Sequence, residues 1–220
     1  MIRTLITDDH EMFRFGLGRL LGDVAAIDVV GHAASGEEGV ELCRELVPDV
    51  VLMDLVMPGI GGMEATRRIM RLEEDIRVVI LTGYSEEPFP QQALKAGACG
   101  YVTKSSSLEQ LVTAIRRAFA GQRFVSSDVA QQLALRSFED REGCPFENLS
   151  SREMQVTLMV VNCQRVQDIS SNLHLSPKTV NSYRYRIFEK LNVSSDVELT
   201  LLAVKHGMIN PSSRAALFGP

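Results

Sequence analysis

Long apolar runs are missing from this chain of 220 residues. No stretch approaches the roughly 18 uninterrupted apolar residues that a membrane-spanning helix needs. The first residues reach Asp8 and Asp9 too early to contain the apolar core of a secretion signal. We therefore expect a cytoplasmic protein without a membrane partner.

Patterns that bind metals through cysteine or histidine are also missing. The cysteines show no Cys-x-x-Cys pair, and their apolar neighbours predict buried free thiols: Cys43, Cys99, Cys144 and Cys163. The histidines share no metal-ligand spacing and are interpreted as bystanders: His10, His32, His174 and His206. No glycine-rich phosphate loop follows the first apolar run, which argues against a dinucleotide-binding Rossmann domain.

Positive charge is scarce in the front part of the chain. Residues 1–149 hold 15 Lys and Arg against 23 Asp and Glu, whereas residues 150–210 hold 7 against 5. The overall net charge of −5 therefore hides an acidic front part and a mildly basic back part. This asymmetry indicates that only the back part meets a polyanion.

Strand-like and helix-like segments alternate five times through residue 120. The predicted strands are residues 2–7, 27–32, 49–54, 76–82 and 99–103. The predicted helices are residues 11–21, 35–46, 62–72, 86–96 and 107–119, with Ser35 and Ser107 as capping residues. Five such units predict a doubly wound, five-stranded parallel sheet with helices on both faces.

The back part of the chain is predicted to be helical. A helix over residues 126–137 is followed by residues 138–145, which are polar, lack periodicity and are interpreted as a linker. No convincing strand follows. The predicted helices are residues 151–162, 166–173, 177–191 and 195–206.

Reactive side chains lie at the end of four of the predicted strands or directly after it. They are Asp8 and Asp9, Asp54, Thr82, and Lys104. Because the carboxyl ends of parallel strands share one edge of the sheet, where open α/β sheets place their ligands, these groups are predicted to converge.

Three clustered carboxylates require a cation. At 4–5 Å separation each pair repels by roughly 4 kcal/mol at an effective dielectric near 20. Oxygen ligands with open positions favour Mg²⁺, and the backbone carbonyl of Val56 is a plausible further ligand. With a metal beside it, Asp54 can attack a phosphoryl donor. Lys104 would then neutralise the added charge, and Thr82 would donate a hydrogen bond.

Residues 166–191 predict a helix, a short turn and a second helix. Ser176 is a suitable N-cap, and Pro177 occupies a position where a first helical turn tolerates proline. The second helix presents candidate DNA-binding residues: Lys178, Thr179, Asn181, Ser182, Tyr185 and Arg186. Lysine can reach guanine, asparagine can pair with adenine, and arginine and tyrosine can anchor phosphates. On these residues alone, an ordinary helical bundle with a solvated polar face stays open.

The front part resembles the receiver domains of response regulators. The similarity lies in Thr7-Asp8-Asp9-His10, in Leu52-Met53-Asp54-Leu55-Val56-Met57-Pro58-Gly59, in Leu81-Thr82-Gly83 and in Gly97-Ala98-Cys99-Gly100-Tyr101-Val102-Thr103-Lys104. The resemblance implies a flavodoxin-like fold and phosphorylation of Asp54 by a sensor histidine kinase. It further implies Mg²⁺ held by Asp8, Asp9 and Asp54, and Thr82 and Tyr101 as a switch pair.

The back part resembles LuxR-type helix-turn-helix domains. The similarity lies in Leu149-Ser150-Ser151-Arg152-Glu153, in Ile169-Ser170 and in Ser176-Pro177-Lys178-Thr179-Val180 through Ile187-Phe188-Glu189-Lys190-Leu191. The resemblance implies binding to double-stranded DNA and a last helix that forms a homodimer after phosphorylation, with Val197 and Leu201 as contacts. The predicted limits are 1–121 for the receiver, 122–147 for a linker containing a helix, and 148–208 for the output domain.

Together these features are similar to the NarL/FixJ class, and within it to the GacA/UvrY subgroup, through segments such as Glu87-Pro88-Phe89-Pro90 and Gln131-Gln132-Leu133-Ala134-Leu135. The resemblance implies a phosphorylation-activated transcriptional regulator, not an enzyme, acting at small regulatory RNA genes. Residues 177–191 would then be the helix that recognises DNA, the recognition helix. We expect the acidic front part to cover this helix in the unphosphorylated state, and phosphorylation to shift the equilibrium to a second arrangement in which the helix is released.

Two other functions compete with this interpretation. An aspartate-nucleophile phosphohydrolase typically needs a second acid two residues after the nucleophile, and that position is Val56. A phosphorylation-gated protein-binding module would use the helical part for dimerisation alone, and a gel shift on promoter DNA distinguishes it from a DNA-binding regulator.

Phosphorylated Asp54 is predicted to hydrolyse slowly, over many minutes. Neither Val56 nor Tyr84 offers a carboxylate or amide that could orient a water molecule against the phosphoryl group. The decay of acid-labile phosphate on the purified protein measures this lifetime, and loss within a few seconds would contradict the prediction.

Overall fold

The computed structural model describes residues 1–72, 75–85, 88–137 and 144–209. The chain divides into two compact units, and among the described residues the first contains 1–85 and 89–137 and the second contains 144–209. Residues 138–143 of the predicted linker, 138–145, lie outside the described residues. Among the helices that are described, none is long and apolar enough to cross a membrane.

The first unit alternates strands and helices. Its strands are β1 (Ile2–Thr7), β2 (Ile27–Ala33), β3 (Val50–Met53), β4 (Arg77–Thr82), β5 (Gly100–Thr103) and β6 (Phe124–Val125). Its helices are α1 (Glu11–Gly22), α2 (Gly36–Leu46), α3 (Gly61–Leu72), α4 (Phe89–Lys95), α5 (Leu108–Phe119) and α6 (Ser127–Ser137). Ser35 and Ser107 cap α2 and α5 through their hydroxyls, as predicted.

All strands lie parallel in one sheet, in the order β2-β1-β3-β4-β5-β6. The flavodoxin-like fold class is confirmed, but the predicted number of five strands is wrong by one. Strand β6 has two residues, too few to give a hydrophobic pattern. It forms because Phe124 N donates to Cys99 O at 3.0 Å and Ser126 N donates to Tyr101 O at 3.0 Å.

The core lies between the sheet and the helices that cover its faces. Every residue of β3 is buried, which explains its uninterrupted apolar sequence. Leu17 and Leu21 of α1 and Leu111 and Ile115 of α5 pack into the same apolar cluster as the central strands. These buried strands fix the positions of the residues that follow them.

The connection from β3 to α3 requires glycine. Gly59 and Gly61 have left-handed φ values of +71° and +70°. Gly62 adopts ordinary helical geometry, but a Cβ atom there would lie 1.7 Å from the carbonyl oxygen of Asp54. The start of α3 can therefore approach the residue after β3 only because this side chain is absent.

Helix α4 is shorter than the predicted 86–96. It begins at Phe89, which is 1% exposed, and places Pro90 in the first turn, where the missing N–H breaks no helical hydrogen bond. Residues 86 and 87, with which the predicted helix begins, lie outside the described part of the chain.

The second unit is helical, and its four predicted helices are confirmed. They are α7 (Ser151–Val161), α8 (Val166–Leu173), α9 (Pro177–Leu191) and α10 (Asp196–Lys205). Serine hydroxyls cap three of them, at Ser150, Ser176 and Ser195. An unpredicted 3₁₀ turn, Pro145–Asn148, precedes α7 and buries the ring of Phe146.

The prediction of four buried thiols holds for two of them. Cys43 and Cys144 are buried, Cys99 is partly buried, and Cys163 is exposed. Cys163 follows the end of α7 and has a left-handed φ of +55°. Apolar neighbours in sequence did not reveal that this turn faces solvent.

Replacing Gly62 by alanine should destabilise the protein. The added methyl group must displace the Asp54 carbonyl, and overpacking of this kind typically costs about 1–3 kcal/mol. Gly16, in the exposed middle of α1, has nothing within 4 Å of the position that an added methyl group would take. Gly16→Ala should instead stabilise by about 0.5–1 kcal/mol. Urea unfolding compares the two, and equal effects would contradict the proposed close approach.

Candidate acidic site and nucleic-acid interface

Extensions of the sheet's hydrogen-bond ladder place three charged residues at one edge. Asp8 N donates to Ala33 O at 3.0 Å, and Asp54 N donates to Thr7 O at 2.9 Å. On the other side, Lys104 N donates to Thr82 O at 2.8 Å. Backbone pairing therefore fixes where the Asp8, Asp54 and Lys104 side chains begin.

The Lys104 ammonium bridges two buried carboxylates. Its Nζ lies 2.7 Å from Asp8 Oδ2 and 2.8 Å from Asp54 Oδ2. Asp8 is 2% exposed and Asp54 is 4% exposed, so water screens these charges poorly. Lys104 Nζ also lies 4.7 Å from the centre of the Phe13 ring, which adds a cation–π contact.

The pKa values of Asp54 and Lys104 reflect the cost of burying these charges. Burial raises the pKa of Asp54 to about 6, and the nearby Asp8 charge adds to this, although the Lys104 ammonium and a hydrogen bond from Leu55 N oppose it. Burial would lower the pKa of Lys104, but the Asp54 and Asp8 carboxylates outweigh it and raise that pKa. One ammonium thus compensates the two buried carboxylates incompletely.

Asp9 and His10 complete a cluster that could hold a metal ion. Ligand atoms of Asp8, Asp9, His10 and Asp54 lie within 4.8 Å of one another. Asp9 Oδ1 accepts no hydrogen bond within the described residues, although His10 Nδ1 lies 3.0 Å away. A carboxylate oxygen without a donor, next to two acids that share one ammonium, suits a hard divalent cation.

His10 is not a bystander in this structure. Its Nδ1 lies 3.0 Å from Asp9 Oδ1 and 3.3 Å from Asp8 Oδ1, and its backbone N–H donates to Asp8 Oδ1 at 2.9 Å. The sequence contained a signal, because His10 directly follows the two acids, but metal-ligand spacing among histidines could not detect it.

The other predicted receiver residues occupy different depths. Thr82 is fully buried at the end of β4, and Tyr84 N donates weakly to its hydroxyl at 3.5 Å. The Tyr101 ring is fully buried, and its hydroxyl donates to the Tyr84 carbonyl at 2.6 Å. Burial raises the pKa of Tyr101 well above its usual value, so the hydroxyl stays a donor. Val56, half-buried, lies two residues beyond Asp54 in the loop before α3.

Two further residues support the site, and sequence reasoning missed both. Arg14, buried on α1, donates to the Asp8 carbonyl at 2.5 Å. Asp128, in the first turn of α6, accepts a hydrogen bond from the Thr103 hydroxyl at 3.1 Å. The Thr103–Asp128 contact joins residues distant in sequence, and the Arg14–Asp8 contact depends on how the chain turns between β1 and α1, so no local pattern predicted either.

The second unit exposes one side of α9. Lys178, Ser182, Tyr185 and Arg186 are exposed, and Tyr185 is 72% accessible. The opposite side buries Val180, Ile187 and Leu191. The polar side chains are therefore available at the surface, as a helix that docks in a major groove requires.

The remaining two candidate DNA-binding residues are partly engaged within the protein. The Thr179 hydroxyl lies 2.8 Å from the hydroxyl of the N-cap Ser176. Asn181 Oδ1 accepts a hydrogen bond from Arg184 Nη1 at 2.9 Å. Arg184 was not predicted, and it also pairs with Asp196 at the start of α10.

Helix α10 leaves two apolar side chains in solvent. Val197 is 68% exposed and Leu201 is 64% exposed. Both line a groove of about 560 Å³ within the second unit, together with Val160, Val166 and Ile169. Within the described residues of the second unit, this apolar surface stays uncovered.

The stability of the protein should depend on pH through Asp54. Below pH of about 4 the carboxyl is protonated in both the folded and the unfolded state. In the folded state the pKa of Asp54 is raised to about 6. Ionisation of Asp54 therefore destabilises the fold by an amount that grows between about pH 4 and pH 6 and is constant at higher pH. Asp54→Asn removes this charge and keeps an oxygen for Lys104. Its unfolding free energy should therefore exceed that of the wild type by an amount that grows from pH 4 to 6, toward about 2–3 kcal/mol.

Urea unfolding in metal-free buffer at several pH values measures this difference. Asp28→Asn, at an exposed position of β2, is the matched control and should follow the wild-type curve. A difference between Asp54→Asn and wild type that stays constant over this range would contradict the assigned cause.

Comparison with known proteins identifies both units. A model of the response regulator receiver domain matches residues 4–116, and a model of the luxR family of bacterial regulatory proteins matches residues 147–203. A solved structure of the response regulator ChrA, from a heme-sensing two-component system, is similar at 29% identity and a TM-score of 0.53. That match covers 94% of this chain and 98% of ChrA.

Full-length relatives agree with this assignment. Response regulator GacA of Pseudomonas aeruginosa is 56% identical over 214 residues, which cover 97% of this chain and all of the relative. Response regulator UvrY of Escherichia coli is 51% identical over 211 residues, which cover 96% of this chain and 97% of the relative. These relatives are response regulators, so the phosphohydrolase alternative is set aside. The chain belongs to the two-component response regulators that join a receiver domain to a LuxR-type DNA-binding domain.

Proposed function

We propose that Asp54 accepts a phosphoryl group from a sensor histidine kinase and that the protein then binds promoter DNA as a homodimer. The observation that carries this proposal is the buried pair of carboxylates, Asp8 and Asp54, held by the single ammonium of Lys104. A structural ion pair needs one acid for each cation. Here two carboxylates share one ammonium, and the second carboxylate suits a site that also binds a metal cation and a phosphoryl group.

The transfer uses Asp54 as the nucleophile. A carboxylate oxygen of Asp54 attacks the phosphorus, the new O–P bond forms, and the P–N bond of the kinase phosphohistidine breaks as its imidazole leaves. Lys104 Nζ already lies 2.8 Å from Asp54 Oδ2, so its ammonium can stabilise the negative charge of the phosphoryl oxygens during the transfer. Asp54 Oδ1 accepts from Leu55 N at 2.7 Å, which orients the carboxylate.

Asp8, Asp9, Asp54 and the carbonyl of Val56 are the proposed ligands of Mg²⁺. The donor set fits a hard cation because it consists of oxygen atoms, including the unsatisfied Oδ1 of Asp9. When bound, Mg²⁺ supplies positive charge to the phosphoryl oxygens. Asp8 and Asp9 would hold that charge beside Asp54, and His10 would orient Asp9.

Thr82 and Tyr101 are proposed to convert the added charge into a conformational change. A phosphoryl group brings about −1.5 to −2 charges, and the Thr82 hydroxyl is the neutral donor at the end of the neighbouring strand. Movement of Thr82 would alter its contact with Tyr84 N, and Tyr84 O is the acceptor of the Tyr101 hydroxyl. The Thr82, Tyr84 and Tyr101 contacts are thus linked.

The helical domain is proposed to bind DNA through the exposed side of α9. Lys178 and Asn181 would contact bases, Tyr185 and Arg186 would contact phosphates, and Thr179 and Ser182 would assist near the helix start. Val197 and Leu201 would form the dimer contact. We propose functional limits of 1–121 for the receiver, 122–147 for the linker and 148–208 for the output domain.

We also propose promoters of small regulatory RNA genes as targets. The support is the similarity to GacA and UvrY, which spans nearly the whole chain and so includes the recognition helix α9. Immunoprecipitation of the protein with its DNA from cells would identify the bound promoters. Recovery of protein-coding promoters alone would refute this target class.

Variants of Asp54 and Lys178 should separate the two steps. Asp54→Asn should abolish phosphorylation and phosphorylation-dependent DNA binding. Lys178→Ala should leave phosphorylation intact and weaken binding to a recovered promoter by about 1–3 kcal/mol. Incorporation of labelled phosphate from the kinase and fluorescence anisotropy of promoter DNA measure the two steps.

Matched controls test whether these effects are local. Asp28→Asn removes an exposed acid from β2, and Lys205→Ala removes an exposed cation from the end of α10. Both should behave like the wild type. Unchanged promoter binding in both Asp54→Asn and Lys178→Ala would refute the proposed function.

A further inference from the structure

Arg184 connects the recognition helix α9 to the start of α10. Its Nε donates to Asp196 Oδ1 at 3.2 Å, its Nη2 donates to Asp196 Oδ2, and its Nη1 donates to Asn181 Oδ1 at 2.9 Å. All three guanidinium nitrogens are therefore engaged inside the domain. The guanidinium also lies 5.7 Å from the centre of the Phe188 ring, which further limits its movement.

This contact determines which way the Asn181 amide is turned. A guanidinium donates hydrogen bonds and accepts none, so the atom of Asn181 that faces Arg184 must be the oxygen. Within the described part of the chain, Asn181 Nδ2 has no partner. The amide is therefore held with its N–H₂ group free before any DNA arrives.

Arg184 itself is poorly suited to anchor a DNA phosphate. Its side chain is 22% exposed, and its charge is paired in a two-point contact with the Asp196 carboxylate. The Asp196 carboxylate already compensates this charge, so the attraction of Arg184 to a phosphate is weakened even though two of its five N–H groups are not used in these contacts. Arg186, by contrast, is exposed on the same helix and has no ion pair within the described residues.

We infer that Arg184 is a positioning residue for sequence recognition: anchored by Asp196, it holds the Asn181 amide in one orientation. Asn181 then presents its free N–H₂ to a base acceptor in the major groove at one base pair of each half-site. Without Arg184, the amide could turn over and present either end. Arg184 thereby influences the choice of base without touching DNA. This inference rests on the proposed DNA-binding role of α9.

The base preference of the full-length protein tests this inference. A randomised duplex library is selected with wild type, Arg184→Met and Asn181→Asp after phosphorylation. Asn181→Asp keeps an oxygen for Arg184 but loses the N–H₂ donor, and it disturbs no buried packing. Both variants should lose the preference at the same single base pair, by about tenfold, and keep it elsewhere. The double variant should lose no more than either single one.

The salt dependence of binding distinguishes positioning from phosphate contact. On the best selected duplex, Arg184→Met should keep the wild-type slope of log affinity against log salt. Arg186→Met, which removes a proposed phosphate contact, should reduce that slope by about one. A reduced slope for Arg184→Met, with unchanged base preferences, would show that Arg184 is itself a phosphate anchor and overturn the inference.

The remaining outcomes are also decisive. Loss of thermal stability in Arg184→Met with every base preference retained would make the residue merely structural and overturn its positioning role. If Asn181→Asp also retains every preference, Asn181 does not read a base and the inference fails. Failure of the wild type to enrich any sequence would instead refute the proposed DNA-binding function.

Discussion

The first unit depends on one ammonium shared by two buried carboxylates. Asp8 and Asp54 follow adjacent strands, so the sheet forces their charges together in a place that water barely reaches. The pKa of Asp54 stays raised, mainly through burial and to a smaller extent through the Asp8 charge, although Lys104 opposes both effects. Any group added to Asp54 Oδ2 must compete with the Lys104 contact. Thr103, which precedes Lys104, donates a hydrogen bond to Asp128 in the first turn of α6. A movement of Lys104 would therefore occur next to a contact between β5 and α6.

This electrostatic arrangement requires backbone geometry that only particular residues allow. The loop after β3 contains two left-handed glycines, and α3 starts so close to Asp54 that Gly62 has no room for a methyl group. The loop thereby carries the chain from the buried strand to the helix while Asp54 Oδ1 still receives the Leu55 N–H. The glycines and the buried strand β3 together fix the position of Asp54 in the acidic site.

Acid–cation pairs also organise the second unit. Lys190 near the end of α9 lies 2.7 Å from Glu153 of α7, and Arg184 in its middle pairs with Asp196 of α10. Glu153 is largely buried, and the hydrogen bond from Lys190 lowers its pKa although burial opposes this. Helix α9 is thus held in the domain by the packing of Val180 and Ile187 on its buried side and by these two ion pairs. Its remaining side stays exposed.

The sequence by itself determined the alternation of strands and helices, the capping serines and the acids that follow β1 and β3. These features depend on hydrophobic period and on neighbours along the chain, which are local. Only the tertiary structure decided the contacts of Arg14, Asp128 and Arg184, the exposure of Cys163, and the two-residue strand β6. Each of these depends on how separate helices and strands pack against one another, or on the direction of a turn, and neither is recorded in a local sequence pattern. His10 lies between the two cases, because its position beside Asp9 was visible but its contacts depended on how the chain turns after β1.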